Sequence, residues 1–204
     1  TMVLVVVATL FPFVHIVAIS FSDPKDIVTG SVGLWPVHFD LISYKMIFSN
    51  MLIPRSFVNS VIITLLGTAI NMVMTTVTAY ALAKRDLPFR PTILKLFMFT
   101  MFFSGGLVPR FLVVNSLGMY DTFWALTVPA AINTYFLIIM LSFFKNFPKE
   151  IEEAARIDGC NEFQILIRIV VPLSMAAVAT ISLFYAVQHW NSYFQAMLFL
   201  DTNA

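Results

Sequence analysis

The sequence predicts an all-α integral membrane protein, a polytopic helical bundle, and three observations carry that prediction. Hydrophobic residues make up 59% of the 204 positions and charged residues only 11%, against about 25% charged in a soluble domain. The mean hydropathy is +0.88. The few charges also cluster, leaving windows long enough for a hydrocarbon core, which takes roughly 20 apolar residues per helix.

Charge-free windows run over 1–22, 56–83, 122–144 and 169–200. A shorter one, 96–109, reaches spanning length if Lys95 snorkels to the surface. We therefore expect five transmembrane helices, at approximately 1–22, 56–83, 92–109, 122–144 and 170–190, in one domain covering 1–204. The first window lacks a basic start and a small-residue cleavage site. It reads as a helix whose beginning is missing, not as a signal peptide.

Five spans put the connecting loops on alternate sides, and the lysine and arginine bias orients them. Lys84, Arg85, Arg90, Lys95, Lys145, Lys149, Arg156 and Arg168 lie on one side. Lys25, Lys45, Arg55 and Arg110 lie on the other. The first set is expected to be cytoplasmic. Segment 23–55 is then an extracytoplasmic loop, rich in turn-formers and ending in a short surface helix, "LISYKMIFSN".

Helix two is followed by a tight inside turn, "KRDLPFRP", with two prolines as helix stops. Helix three ends at "SGGLVPR", where Gly105, Gly106 and Pro109 each weaken a helix. The stretch "FLVVNSLGMYD" is expected to run along the outer membrane face.

Ser60, Thr64, Thr68, Asn71, Thr75 and Thr78 in helix two recur at steps of three and four, the helical period. They form one small, polar face. Such a face serves helix packing or lines a polar path, and spacing does not choose between them. Near the outer end of helix five, Tyr185, Gln188 and His189 are further path candidates, with Asn71 and Thr75. Trp190 and Tyr193 beside them also suit an interfacial aromatic belt.

The chemistry of catalysis is missing from the sequence. His15, His38 and His189 stand apart without metal-ligand spacing, and no P-loop is present. The single Cys160 excludes an internal disulfide or a cysteine cluster. Neither a catalytic residue, a metal site nor a cofactor is expected in this chain. A formal net charge of +1 gives no reason to expect nucleic acid as a partner. Membrane-embedded carboxylates, which mark ion and proton relays, are also missing, which argues against an ion-driven carrier. Any energy source is expected elsewhere.

One segment stands against this background. "EIEEAARIDG", 150–159, holds three glutamates, an arginine and an aspartate. Pro148 suits a helix start, and the glutamates suit the positive end of the helix dipole. Gly159 suits a left-handed cap. Asn161 and Gln164 then give a capping-box signature for a second helix. Residues 148–171 thus predict a helix, a glycine turn and a helix at the inner membrane face, within a cytoplasmic segment 145–171.

"EAARIDGCNEFQILIRIVVP", 153–172, resembles the EAA motif of ABC-importer permeases. The pattern is Glu153-Ala154-Ala155, three residues, Gly159, nine residues, then Ile169-x-x-Pro172, with Val171 where leucine is usual. "AYALAK" at 79–84, "FFSGGLVPRFLVVNSLGMYDTFWALTVP" at 102–129 and "HWNSYF" at 189–194 are similar to carbohydrate-importer permeases, in particular the oligosaccharide and polysaccharide-fragment subgroup.

The resemblance implies a multi-pass protein of the inner (cytoplasmic) membrane that imports a sugar. It implies a cytoplasmic ATPase dimer holding ATP and Mg, a second homologous permease, and an extracytoplasmic solute-binding protein. It also implies that Glu153, Ala154, Ala155, Arg156, Asp158 and Gly159 form a coupling helix seated in the ATPase. On this view Ala154 and Ala155 permit close approach, and Glu153 meets a basic partner. Permeases of this type have six core helices, so a cytoplasmic tail and a last helix after "FLDTNA" are expected to be missing.

Overall fold

The computed structural model describes residues 2–49 and 52–201. Thr1, given above to the first helix, Asn50, given to the surface helix, and the closing residues 202–204 lie outside the described residues. All regular elements among the described residues are helical, apart from one isolated bridge between Ser22 and Phe39. The chain divides into two compact units, 1–59 and 60–204, a division that the one-domain reading does not contain.

The first unit begins with α1, Met2–Ser20, whose apolar side chains are exposed except at the buried Ala18 and the half-buried Ile19. A helix apolar all round belongs in lipid or in a core. The loop after it is ordered by its own polar residues. Asp23 caps α2, Pro24–Thr29, by accepting from the Lys25 amide at 2.8 Å. Gly30 ends that helix in the left-handed region, with φ 70°. The surface helix is present as α3, Ile42–Ser49, and Tyr44 donates to Ser20 Oγ at 3.0 Å.

Helix α4, Leu52–Ala83, starts in the first unit and carries the chain into the second. Its 32 residues amount to about 48 Å of helix. It follows α1 as the second helix that is by itself long and apolar enough to cross a membrane.

The remaining three windows are broken helices. Helix α5, Arg90–Phe102, meets α6, Leu107–Ser116, at 120°. The turn is made at Ser104-Gly105-Gly106, where Gly106 has φ 82°, a region closed to most side chains. The break at "SGGLVPR" is therefore real and sharp, and α5 stops at Phe102, seven residues before the expected end at 109.

Helix α7, Phe123–Thr127, and a short 3₁₀ turn, Val128–Ala130, meet α8, Thr134–Lys145, at 51°. Asn133 restarts the helix by accepting from the amides of Tyr135 and Phe136 at 2.9 and 3.4 Å. The apolar window at 122–144 concealed this restart.

The last window bends by 87° between 162–173 and α12, Met175–Trp190. Pro172 has no amide to give to the carbonyl four residues back, and its ring crowds that carbonyl. The chain answers with a π-helical turn over Leu166–Val170, a single helical turn, α11, Val171–Leu173, and a break at Ser174. A final helix, α13, covers Tyr193–Phe199. With each bent pair taken as one span, the structure offers up to five.

Two apolar clusters hold the second unit. The larger joins α4, α8 and α12 with the segment 155–170, through residues such as Leu82, Met140, Ile165 and Ile181. The smaller gathers Ile63, Val114, Leu126 and Phe199.

Candidate coupling site and the polar seam

Helix α9, Lys149–Ile157, carries the charged segment and follows the extended Pro148. Its C-terminus is closed by two backbone bonds. Gly159 N donates to Arg156 O and Cys160 N to Ala155 O, both at 3.0 Å. This pair is the Schellman arrangement, which places its glycine in the left-handed region, and Gly159 has φ 82°. Asn161 then starts α10, Glu162–Ile165, with a reciprocal capping box: Asn161 Oδ1 accepts from Gln164 N and Gln164 Oε1 from Asn161 N, each at 2.9 Å. The helix, turn and helix expected at 148–171 form as the caps dictate.

The two faces of α9 differ. Glu152 and Ala155 turn inward, and Ala155 is 5% exposed within the larger core. The close approach that Ala155 permits is thus to its own chain. Glu150, Glu153, Ala154 and Asp158 are exposed, and Ile157 is 87% exposed.

An ion-pair network ties α9 and α10 to the end of α4. Lys84 pairs with Glu152 and lies 3.4 Å from Glu162. Tyr80 donates to Glu162 Oε2 at 2.8 Å, and the Lys84 ammonium sits 4.2 Å from the Tyr80 ring centroid. Arg156 Nε donates to Glu162 Oε1 at 2.9 Å. That hydrogen bond and the Glu162 charge raise the Arg156 pKa further above its already high value.

Sequence reasoning placed Arg156 at the site but missed Tyr80, Lys84, Glu152 and Glu162 as its fastening. Lys84 and Tyr80 stood in "AYALAK", and Glu152 in the charged segment, but no local period joins residues 68 and 82 positions apart. A cleft of about 470 Å³ opens beside this network, lined by Arg85, Arg90, Lys145 and Glu153 among others.

The path candidates separate. Asn71, Thr75, Tyr185 and His189 are buried between α4, α12 and the start of α8, whereas Gln188 is exposed. Thr75 and Tyr185 share a hydroxyl–hydroxyl bond of 2.7 Å, and the Tyr185 oxygen accepts from Asn133 N at 3.0 Å. Asn71 Nδ2 donates to Ala130 O at 3.0 Å. Four of the five residues thus meet in one polar seam inside the chain. Among the described residues no group of His, Cys, Asp and Glu is placed to hold a metal ion.

A long apolar helix, three sharply broken ones and a charged helix-turn-helix pinned to the end of the long one define a class: a helical membrane protein. The model of the family described as "Binding-protein-dependent transport system inner membrane component" matches residues 89–202. The chain belongs to this family.

It is 48% identical over 193 residues to the polygalacturonan/rhamnogalacturonan transport system permease protein YtcP of Bacillus subtilis, covering 95% of this chain and 68% of that protein. It is 45% identical to protein LplC of the same organism, over 96% of this chain and 66% of the relative. The chain thus spans about two thirds of the length of these curated relatives. Among solved structures it is similar to a chain of a bacterial ABC transporter involved in the import of the acidic polysaccharide alginate. That match has a TM-score of 0.95 at 32% identity and covers 98% of this chain and 72% of the other.

Proposed function

We propose that this chain is the transmembrane permease subunit of an ATP-binding-cassette importer for a carbohydrate, in particular an acidic oligosaccharide. Relatives named for polygalacturonan/rhamnogalacturonan transport and a structural neighbour named for alginate import support this substrate class. The chain performs no hydrolysis. A separate cytoplasmic ATPase dimer binds ATP and Mg and supplies the energy. A second permease completes the pore, and an extracytoplasmic solute-binding protein delivers the sugar.

The observation that carries the mechanism is the two-faced helix α9. Its inner face is fastened to α4 through Lys84 and Glu152, and its outer face offers Glu153, Ala154, Ile157 and Asp158. A lever must be rigidly tied on one side and exposed on the other, so that movement at a docked ATPase reaches the spans. The loops holding Lys84 and α9 lie on the cytoplasmic side, by the basic bias, and a count of up to five spans, with each bent pair taken as one, supports five membrane helices.

The test is reconstitution. The chain with its partner permease, ATPase and binding protein in proteoliposomes should take up trigalacturonate only when ATP is supplied. Uptake driven by an ion gradient without ATP would reject the reading.

A further inference from the structure

Four buried polar atoms have no hydrogen-bond partner among the described residues: Thr64 Oγ1, Thr68 Oγ1, Asn71 Oδ1 and His189 Nε2. They share one place. Thr64, Gly67, Thr68 and Asn71 follow one another at the i, i+3, i+4 and i+7 spacing, so they lie on one face of α4 over two turns. The His189 ring lies directly on Gly67, with Cε1 and Nε2 each 2.5 Å from where a Cβ would stand.

The two hydroxyls are buried and lack the back-bond that often satisfies a helical threonine. Some threonines of this chain bond back to the preceding turn, as do Thr9 to Val5 O, Thr127 to Phe123 O and Thr180 to Ala176 O, at 2.9, 3.1 and 2.8 Å. Thr64 and Thr68 do not. Asn71 spends its amide on Ala130 O, which leaves Oδ1 as an acceptor needing a donor. One turn on, Thr75 and Tyr185 satisfy each other, so the unmet need is confined to this patch. Asn71 is 0% and His189 5% exposed. Leaving such groups unpaired in an apolar seam is costly, and four of them along about two turns of one helix face point to hydroxyl groups bound along that face.

The ligand must donate to Asn71 and also accept from or donate to hydroxyls, which a neutral O–H group does. We propose that Thr64, Thr68, Asn71 and His189 form a binding site for a hydroxyl-bearing ligand between α4 and α12. Water and a hydroxyl of the transported sugar share this chemistry. The sugar alternative rests on the carbohydrate reading above; the water alternative does not.

Solid-state NMR of the assembled, reconstituted transporter with ¹⁵N-labelled histidine reads the site, with His189→Gln assigning the signal. The expected result is a cross-peak from His189 Nε2 to exchangeable water protons without sugar. On adding trigalacturonate, an unchanged cross-peak assigns the site to water, and its replacement by a sugar cross-peak assigns it to the solute. A second measurement uses the double variant Thr64→Val and Thr68→Val, which keeps side-chain volume and removes both hydroxyls. At an occupied site it should lower the Tm of the complex by about 2–4 °C, while Thr180→Val leaves it unchanged. The absence of both cross-peaks overturns the proposal, and so does an unchanged or raised Tm in the double variant. Neither measurement needs transport to occur, so failure here leaves the carbohydrate reading standing.

Discussion

Lys84, the first residue after helix α4, pairs with Glu152 on the inner face of α9, 68 positions further along the chain. This contact joins the longest helix to the segment we assign to the ATPase. Both side chains are partly buried, at 24% and 17% exposure, so the pair lies between a solvated and a fully buried one.

Lys84→Met should therefore destabilise the α9 attachment by about 1–3 kcal/mol, between the exposed and buried ranges. Hydrogen exchange over 149–157 should accelerate while exchange in the middle of α4 stays unchanged. Exchanging the partners, Lys84→Glu with Glu152→Lys, should recover part of the protection. Unaltered exchange in the single variant would mean that the ion pair fastens nothing.

Tyr185 offers a second test, within the polar seam. Its hydroxyl meets Thr75 and accepts from Asn133 N, just where α8 restarts after its bend. Tyr185→Phe keeps the ring and strands both partners. An unpaired buried donor costs about 1–3 kcal/mol, which the Tm of detergent-purified protein should register. Thr75→Val, which leaves the Asn133 bond in place, should cost less. Equal losses would show that the Asn133 contact adds nothing.

Gly67 and His189 test the packing of α4 on α12. Any Cβ at 67 meets the imidazole at 2.5 Å. Gly67→Ala should thus destabilise through overpacking, by about 1–3 kcal/mol, although alanine is the better helix former. Pairing it with His189→Ala should relieve the clash, and a double variant no more stable than Gly67→Ala alone would reject this account.

Helix content and the caps around Gly159 and Asn161 were legible because they depend on neighbours within a few residues. Window hydropathy located the apolar segments but not their breaks. Gly106 announced its turn, since glycine readily takes φ 82°. Asn133 did not, because a single capping asparagine hardly disturbs an apolar average. Pro172 lay in full view within the EAA-like pattern, yet the bend it imposes shows only once the ladder around it is built. The stripe on α4 was legible as a period, but its partners Tyr185 and His189 come from a helix more than 100 residues away. For the same reason the sequence showed Glu153 and Glu152 as neighbours and could not tell that one faces out and the other in.

That division decides the last prediction, which concerns the exposed side of α9. Glu153 and Gly159 are both exposed, and among the described residues, its two chain neighbours aside, nothing lies within 4 Å of a Cβ built on Gly159. Gly159→Val therefore acts through the backbone alone, since φ 82° is a genuine outlier for a β-branched residue. It should open the Schellman turn and misdirect α10, whereas Gly159→Asn, which tolerates that region, should be mild. Glu153→Lys breaks no ion pair among the described residues, although it adds a cation to the cleft lined by Arg85, Arg90 and Lys145. In the docking we propose, it reverses a charge that would face a basic partner, and like charges at an interface cost several kcal/mol. Both Glu153→Lys and Gly159→Val should leave membrane insertion unchanged, because neither residue lies in a span. Both should abolish sugar-stimulated ATP hydrolysis in the assembled transporter, and Gly159→Val should also release the ATPase on purification. Subunit retention and sugar-dependent hydrolysis, measured on reconstituted complexes, distinguish these outcomes. Wild-type coupling in both variants would reduce α9 to an interfacial loop with no part in driving transport.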